Sequence, residues 1–409
     1  MNLSRYRVGD YFEGRSIEEY SWKNIVVSLA IITQIAFGIL KFRKNPIWIG
    51  PDALLFQYSG FVIYRGGVPY RDVWDVKPPL IHEISAVIAH SVNGNPFALA
   101  VVSTVLTSGF FVLTVYLIYK LVVEWTGNDL AAATAALVPF VLPEFYYFAS
   151  RGLRPKLLVI VLGISSLYLY QKERFVFSGI LAAASAGLWQ FGAFFSVAIL
   201  GHAFYKLRYR AFVVNILSMI VTTLVVVLPF LLSGTWQQMI EQVVIAPLST
   251  SENGAIFNRI LRGGYMLKLS APLVAIGGVS ALLSNWSEYS PWWVAPGMVW
   301  YSVQIFIFDL DGTPDLFLGL VFVAFGIGIL SHHLNEKWQK YFFLGVVATV
   351  VLMFIFYLFI GFLPLYQGLE ATQLYQNYWA RTLPESCHIR LSGLEQQYMA
   401  QEPNSCRPK

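Results

Sequence analysis

Long apolar runs separated by short polar turns fill most of this sequence. Eleven stretches come near the ~20 apolar residues that a membrane-spanning helix needs. They are 24–40, 97–123, 130–149, 156–171, 175–189, 191–206, 211–232, 268–284, 290–308, 315–330 and 341–364. None alternates with the period of two that marks an outer-membrane barrel strand. The pattern therefore predicts an all-α polytopic membrane protein, a bundle of about 11 transmembrane helices. The runs at 175–189 and 191–206 are short and read as a half-depth pair turning at Gly192. A weaker stretch, LIHEISAVIAHSVN at 80–93, is too short to span and is expected to lie as a helix at the interface. The first run follows about two dozen polar residues, without the short apolar segment and small-residue cleavage site of a signal peptide, so it reads as an uncleaved first span. The expected organisation is a cytoplasmic segment over 1–23, a multi-span catalytic region over 24–364 with its first outer loop at 41–95, and an extracytoplasmic tail over 365–409. No internal repeat is visible.

Composition narrows the class. Only 12% of the 409 residues are charged, 56% are hydrophobic, and mean hydropathy is +0.58. Soluble domains carry about 25% charged residues, so the surplus apolar surface must face lipid. This excludes a soluble enzyme, a disordered chain and a disulfide-stapled mini-domain. The net charge, 28 − 23 = +5, is too mild to point to nucleic acid. Basic residues near the bilayer suit lipid phosphates instead. The turns around Lys172 to Arg174, Lys206 to Arg210 and Lys337 to Lys340 are short and basic, as cytoplasmic loops are, and they fall on the side of the N-terminus. The loops and tail of the other side nevertheless hold more Lys and Arg in total, a surplus that needs a cause. Cys387 and Cys406 both follow the last run. An oxidising exterior would join them as a disulfide; two free thiols in a cytoplasmic tail are the alternative.

The few charges are densest at 41–80, KFRKNPIWIGPDALLFQYSGFVIYRGGVPYRDVWDVKPPL. Pro51-Asp52 opens a helical stretch with Leu54, Leu55, Tyr58, Phe61 and Val62 at helical spacing, and Gly66-Gly67 ends it. Asp52, Asp72 and Asp75 then share the segment with Arg65, Arg71 and Lys77. Ionisable groups at a membrane surface are costly unless paired or used. An N-cap role for Asp52 and simple pairing of Asp72 and Asp75 with Arg71 and Lys77 are the plain alternatives.

The order Asp52, Gly67, Pro69-Tyr70, Asp72 and Lys77-Pro78-Pro79-Leu80, just after a first span and before a second short helix, resembles the first outer loop of the GT-C membrane glycosyltransferases. It is most similar to the branch that holds protein O-mannosyltransferases, aminoarabinose transferases and archaeal dolichyl-phosphate-mannose mannosyltransferases. The resemblance implies a polyprenyl-phosphate-linked sugar as donor, a glycan or protein as acceptor, and the lipid bilayer as setting. The leaving group is then a phosphate anion that needs no general acid, so one carboxylate suffices where a glycosidase uses two. By the resemblance Asp52 is the catalytic base and Lys77 contacts the donor phosphate, with Tyr70, Asp72 and Asp75 in support. Arg151 and Arg154 in SRGLRPK (150–156) are further phosphate candidates, since guanidinium suits bidentate phosphate contacts; interfacial snorkelling is their alternative.

This chain departs from the family in three places. Ala53 and Val76 stand where relatives often have Glu, and Pro155 is followed by Lys156 where relatives often have an acid. The one candidate cofactor is a divalent metal ion. The stretch IFIFDLDGTPD (305–315) copies a phosphatase nucleophile motif, but it lies between spans with no room for that soluble domain. The chain is short for a protein O-mannosyltransferase, so the expectation is a mannosyltransferase completing an S-layer N-glycan. A transporter of lipid-linked sugars would hold its charges in mid-span, and a polysaccharide ligase would centre its essential residues on a later large loop.

Overall fold

The computed structural model describes residues 19–44, 51–249, 256–284, 291–305 and 312–357. In chain order the helices are α1 (Glu19–Lys44), α2 (Pro51–Tyr64), α3 (Leu80–Ser91), α4 (Pro96–Thr126), α5 (Asp129–Leu137), α6 (Pro143–Ala149), α7 (Pro155–Gln171), α8 (Phe175–Leu188), α9 (Ala193–Tyr205), α10 (Tyr209–Leu232), α11 (Trp236–Ile240), α12 (Ala246–Ser249), α13 (Ile256–Leu267), α14 (Ala271–Leu283), α15 (Val294–Val303), α16 (Phe317–His333) and α17 (Glu336–Phe356). Among the described residues the only β-type pairing is an isolated bridge between Pro69 and Val73. Cys387 and Cys406, with Asp309 and Asp311 of the phosphatase-like stretch, lie outside the described residues.

Helix starts follow local chemistry. Asn95 accepts the Ala98 N–H at 3.0 Å, with Pro96 at the first helical position of α4. Asn128 does the same for Ala131 at α5, and Asn335 for Trp338 at α17. Such caps satisfy N–H groups that the helix itself leaves unpaired. Gly66, at φ 88°, ends α2 in the left-handed conformation that costs glycine little.

By length and composition, six helices among the described residues are long and apolar enough to cross a membrane, or up to seven if one bent pair counts as a single span. Of the eleven predicted runs, those at 156–171, 175–189 and 191–206 form shorter apolar helices. The run at 130–149 is not one rod. α5 gives way to a tight turn at Val138–Val141, and the pair then bends by 76° into α6. Pro139 and Pro143 explain the break, since proline lacks the helical N–H and clashes with the preceding turn. α16 sits at the centre with 83% of its apolar window buried, whereas only 17% of α1 or of α17 is buried. Their exposed Ile, Leu and Val side chains suit lipid. Trp293 is fully buried against Trp125 and Phe325.

The short pair α8 and α9 turns through a tight 3-10 segment at Gln190–Gly192. Fourteen and thirteen residues rise only ~20 Å each, well short of a ~30 Å hydrocarbon core. Their turn therefore sits low in the bundle, and segments 66–79 and 236–249 pack down onto it. The stretch 233–267 is mostly helical where described and contains a π-helical turn at Glu241–Ile245. These segments share one end of the molecule with α2, α3, α6 and the start of α7. The opposite end carries the turns near 127, 173, 207 and 335.

Candidate active site

α2 and α3 pack tightly because Gly60 lets them. A Cβ there would come within 2.5 Å of the Ser85 backbone. The close crossing sets Ser59 of α2 against His82 of α3, with Oγ and Nδ1 2.8 Å apart and both residues fully buried. The other ring nitrogen of His82 lies 3.5 Å from Asp75 Oδ2. Burial holds the imidazole neutral by pushing its pKa down to about 3. It also raises the adjacent Glu83 to about 7.

Residues 66–79 form a knot of hydrogen bonds. Tyr70 adopts φ 66°, a strained value for a residue with a side chain, and its surroundings fix it there. Its N–H donates to Val73 O at 2.8 Å, its carbonyl accepts from Gln242 Nε2 at 2.7 Å, and its hydroxyl donates to Lys77 O at 2.7 Å. The ring is buried edge-on to His82 and against Phe230. Burial, then the nearby Asp75 and Glu83, raises the phenol well above its ordinary pKa, so it stays a donor. Asp75 is buried, takes the Lys77 N–H on Oδ1 at 3.1 Å, and gives its own N–H to Gln242 Oε1 at 3.1 Å. Gln190 donates from Nε2 to Val76 O at 2.8 Å and to Val243 O at 2.9 Å. Asp72 faces outward. It holds Arg71 at 2.9 and 3.0 Å and accepts the Val68 N–H at 2.7 Å.

A second group surrounds the α6–α7 connection. The 76° bend turns Tyr147, Phe148, Arg151 and Arg154 toward the end of the bundle. Arg151 and Arg154 are only 9% and 5% exposed, which is far from interfacial snorkelling. The Arg154 guanidinium lies 4.2 Å over Phe148, and that of Arg151 lies 5.0 Å over Tyr147. Two residues on, Lys156 pairs with Asp315 and lies 5.2 Å over Trp189. Trp189 adjoins Gln190, whose amide reaches Val76, so this contact chain joins the arginine group to the knot.

Of the residues predicted from sequence, Tyr70, Asp75 and Lys77 are bonded into one unit, Asp72 stands at its rim, and Arg151 with Arg154 forms the neighbouring group. Asp52 occupies the first turn of α2; its side chain lies outside the described part. Two of the described acids at this end are already held by lysines. Lys268 holds Glu144 at 2.9 Å and Lys156 holds Asp315, and among the described residues no three His, Cys, Asp or Glu converge as a metal requires. Sequence reasoning missed Gln190 and Gln242. A lone amide in an apolar run, as in AGLWQFG around Gln190, is the signal that could have found them, because a buried amide needs partners.

A family model described as DolP-mannose mannosyltransferase matches residues 66–232. That span takes in the knot, Arg151, Arg154 and Gln190, and stops short of Gln242. Over 320 residues the chain is 33% identical to the dolichol phosphate-mannose mannosyltransferase of Haloferax volcanii, an alignment covering 77% of this chain and 69% of that one. The crystal structure of ArnT from Cupriavidus metallidurans bound to undecaprenyl phosphate has the same fold. It aligns with a TM-score of 0.54 at 11% identity, covering 88% of this chain and 73% of that chain.

Proposed function

This chain belongs to the dolichol phosphate-mannose mannosyltransferases, a family of membrane glycosyltransferases, and from that premise we propose that it moves mannose from a dolichyl or similar polyprenyl phosphate to a glycan hydroxyl. The end of the bundle that carries the knot faces outward, the N-terminus lies inside, and the acceptor belongs to a protein N-glycan of the S-layer. On this topology Cys387 and Cys406 meet an oxidising exterior and form a disulfide.

The acceptor oxygen attacks the anomeric carbon as the bond to the carrier phosphate breaks, with inversion. Asp52 takes the hydroxyl proton as the new bond forms. Lys77, Arg151 and Arg154 balance the charge that grows on the departing phosphate, and burial of the two arginines limits its screening by water. No acid is needed for a phosphate leaving group, and no step draws on a metal. The observation that carries this reading is the burial of Arg151 and Arg154 beside a knot that fixes the main chain of Lys77.

Purified protein, given polyprenyl-phosphate-mannose and oligosaccharide acceptors, should release polyprenyl phosphate and extend the glycan. Asp52→Asn should lower the rate by about 10²–10⁴-fold, and a chelator should leave it unchanged. A wild type inactive with every polyprenyl-phosphate donor, or a fully active Asp52→Asn, would overturn the reading.

A further inference from the structure

Two glutamines reach the knot from far along the chain. Gln190 lies 114 residues from its partner Val76, and Gln242 lies 167 and 172 residues from Asp75 and Tyr70. Neither was expected to take part in the chemistry. Gln242 sits in the π-helical turn Glu241–Ile245 and is buried between exposed Glu241 and half-buried Val243. A π turn carries one extra residue, so it swings a side chain off the stripe that an α-helix would give it. Here it delivers an amide that is used at both ends. Oε1 takes the Asp75 N–H, and Nε2 gives to the carbonyl of Tyr70, the strained residue.

These bonds converge on a short piece of main chain. The Lys77 N–H is held by Asp75, the Lys77 carbonyl by the Tyr70 hydroxyl, and the preceding carbonyl by Gln190. Both residues that grip Lys77, Asp75 and Tyr70, are themselves gripped by Gln242. A lysine is a point charge on a long flexible stem. Where its ammonium can stand is decided by where its main chain is fixed, and a small misplacement in a catalytic site is felt strongly in rate.

We propose that Gln242 is a positioning residue for Lys77, with Gln190 as its second support. It fixes the strand of chain from which Lys77 meets the lipid phosphate, and it touches neither donor nor acceptor. This rests on the reading of Lys77 given above. It makes the segment 236–249, outside the matched family region, part of the donor site by way of one amide.

The test is a double-mutant cycle on the full chain, read as mannose transfer from polyprenyl-phosphate-mannose. Gln242→Met keeps the volume and removes both bonds. It should lower kcat/KM by about tenfold or more. In a Lys77→Ala background the same change should add nothing, because a positioning residue has no effect once its client is gone. Gln190→Met should behave alike. Gln242→Glu, which retains the acceptor for the Asp75 amide, supplies a folded variant should methionine prove disruptive, with a smaller loss and the same lack of additivity. Losses that multiply with Lys77→Ala, or a Gln242→Met as active as the wild type, would overturn the proposal while leaving Lys77 in its role. A Lys77→Ala that transfers at the wild-type rate would instead remove the phosphate role of Lys77, and the positioning role with it.

Discussion

The two ends of the bundle treat charge in opposite ways. At the end opposite the knot, ion pairs are exposed. The side chains of Lys340 and Glu336 are 64% and 81% accessible, and Arg208 and Glu173 are similarly open. At the knot end the rim pair Arg71–Asp72 is also open, at 53% and 34%, but two further pairs are withdrawn. Asp315, held by Lys156, is 5% accessible, and Glu144, held by Lys268, is 13%. Taking a charge out of water costs several kcal/mol, which pairing rarely recovers in full, whereas an exposed pair costs and gives almost nothing. A chain this poor in charge that still buries Asp75, Arg151, Arg154 and Asp315 at one end is committing that end to something other than stability. On the proposed topology the basic residues at the other end need no such purpose, since cytoplasmic turns hold such residues in any case.

If the contrast is real, it should show first in activity. Arg154→Ala should lower kcat/KM for the polyprenyl donor by about 10²-fold, the usual size for losing one group that stabilises a leaving anion. Arg154→Lys should recover little, because a point charge cannot reproduce the planar fork over Phe148. Arg208→Ala at the opposite end should leave the kinetics unchanged. Equal losses at the two ends, measured by steady-state transfer assays, would erase the distinction. The next effect is on stability. Lys156→Met leaves Asp315 buried without its ammonium and should cost about 3 kcal/mol. The double variant Lys156→Met with Asp315→Leu should regain most of that, since well-packed apolar side chains often replace a buried pair at no loss. Unfolding in detergent followed by denaturant checks both. A single variant as stable as the wild type would show that the pair is no more costly to break than a surface one.

How much of this was readable beforehand divides along the same line. Apolar runs, helix caps at Asn95 and Asn335, and the α2 boundaries at Pro51 and Gly66 are local properties, and local spacing reveals them. The order from Asp52 to Lys77 was legible because its residues lie within one short segment. Long-range partnership was not. Nothing near Gln242 in sequence indicates that its amide ends on Tyr70, and nothing near Lys156 indicates Asp315, because those meetings depend on how α7, the π-helical turn after α11 and the turn before α16 pack. The break between α5 and α6 was legible and missed. Pro139 and Pro143 stood inside a run read as one straight span, and apolarity outweighed them.

The smallest effect tests whether the buried end also responds to protons. His82 and Glu83 are neighbours on α3, and burial moves them in opposite senses, His82 down to about 3 and Glu83 up to about 7. For His82, the unfolded chain gains a proton below its ordinary pKa of about 6.5 while the folded chain refuses it. Stability from this group is therefore full above about pH 6.5 and falls as pH drops toward 3. For Glu83, the folded chain keeps a proton that the unfolded chain releases above its ordinary pKa. Its contribution is full below that point and is lost as pH rises through about 7. In the wild type the two slopes oppose each other over the shared window, so thermal stability in detergent should change little there. Removing either one should uncover the other. Glu83→Gln should leave a protein that weakens toward acid, by up to ~1.4 kcal/mol per pH unit. His82→Gln should leave one that weakens toward neutrality, less steeply because Glu83 is only half-buried and partly screened by solvent. Two variants that both track the wild-type profile would mean that α3 lies in water, and that the knot it supports is no more sheltered than the turns at the opposite end.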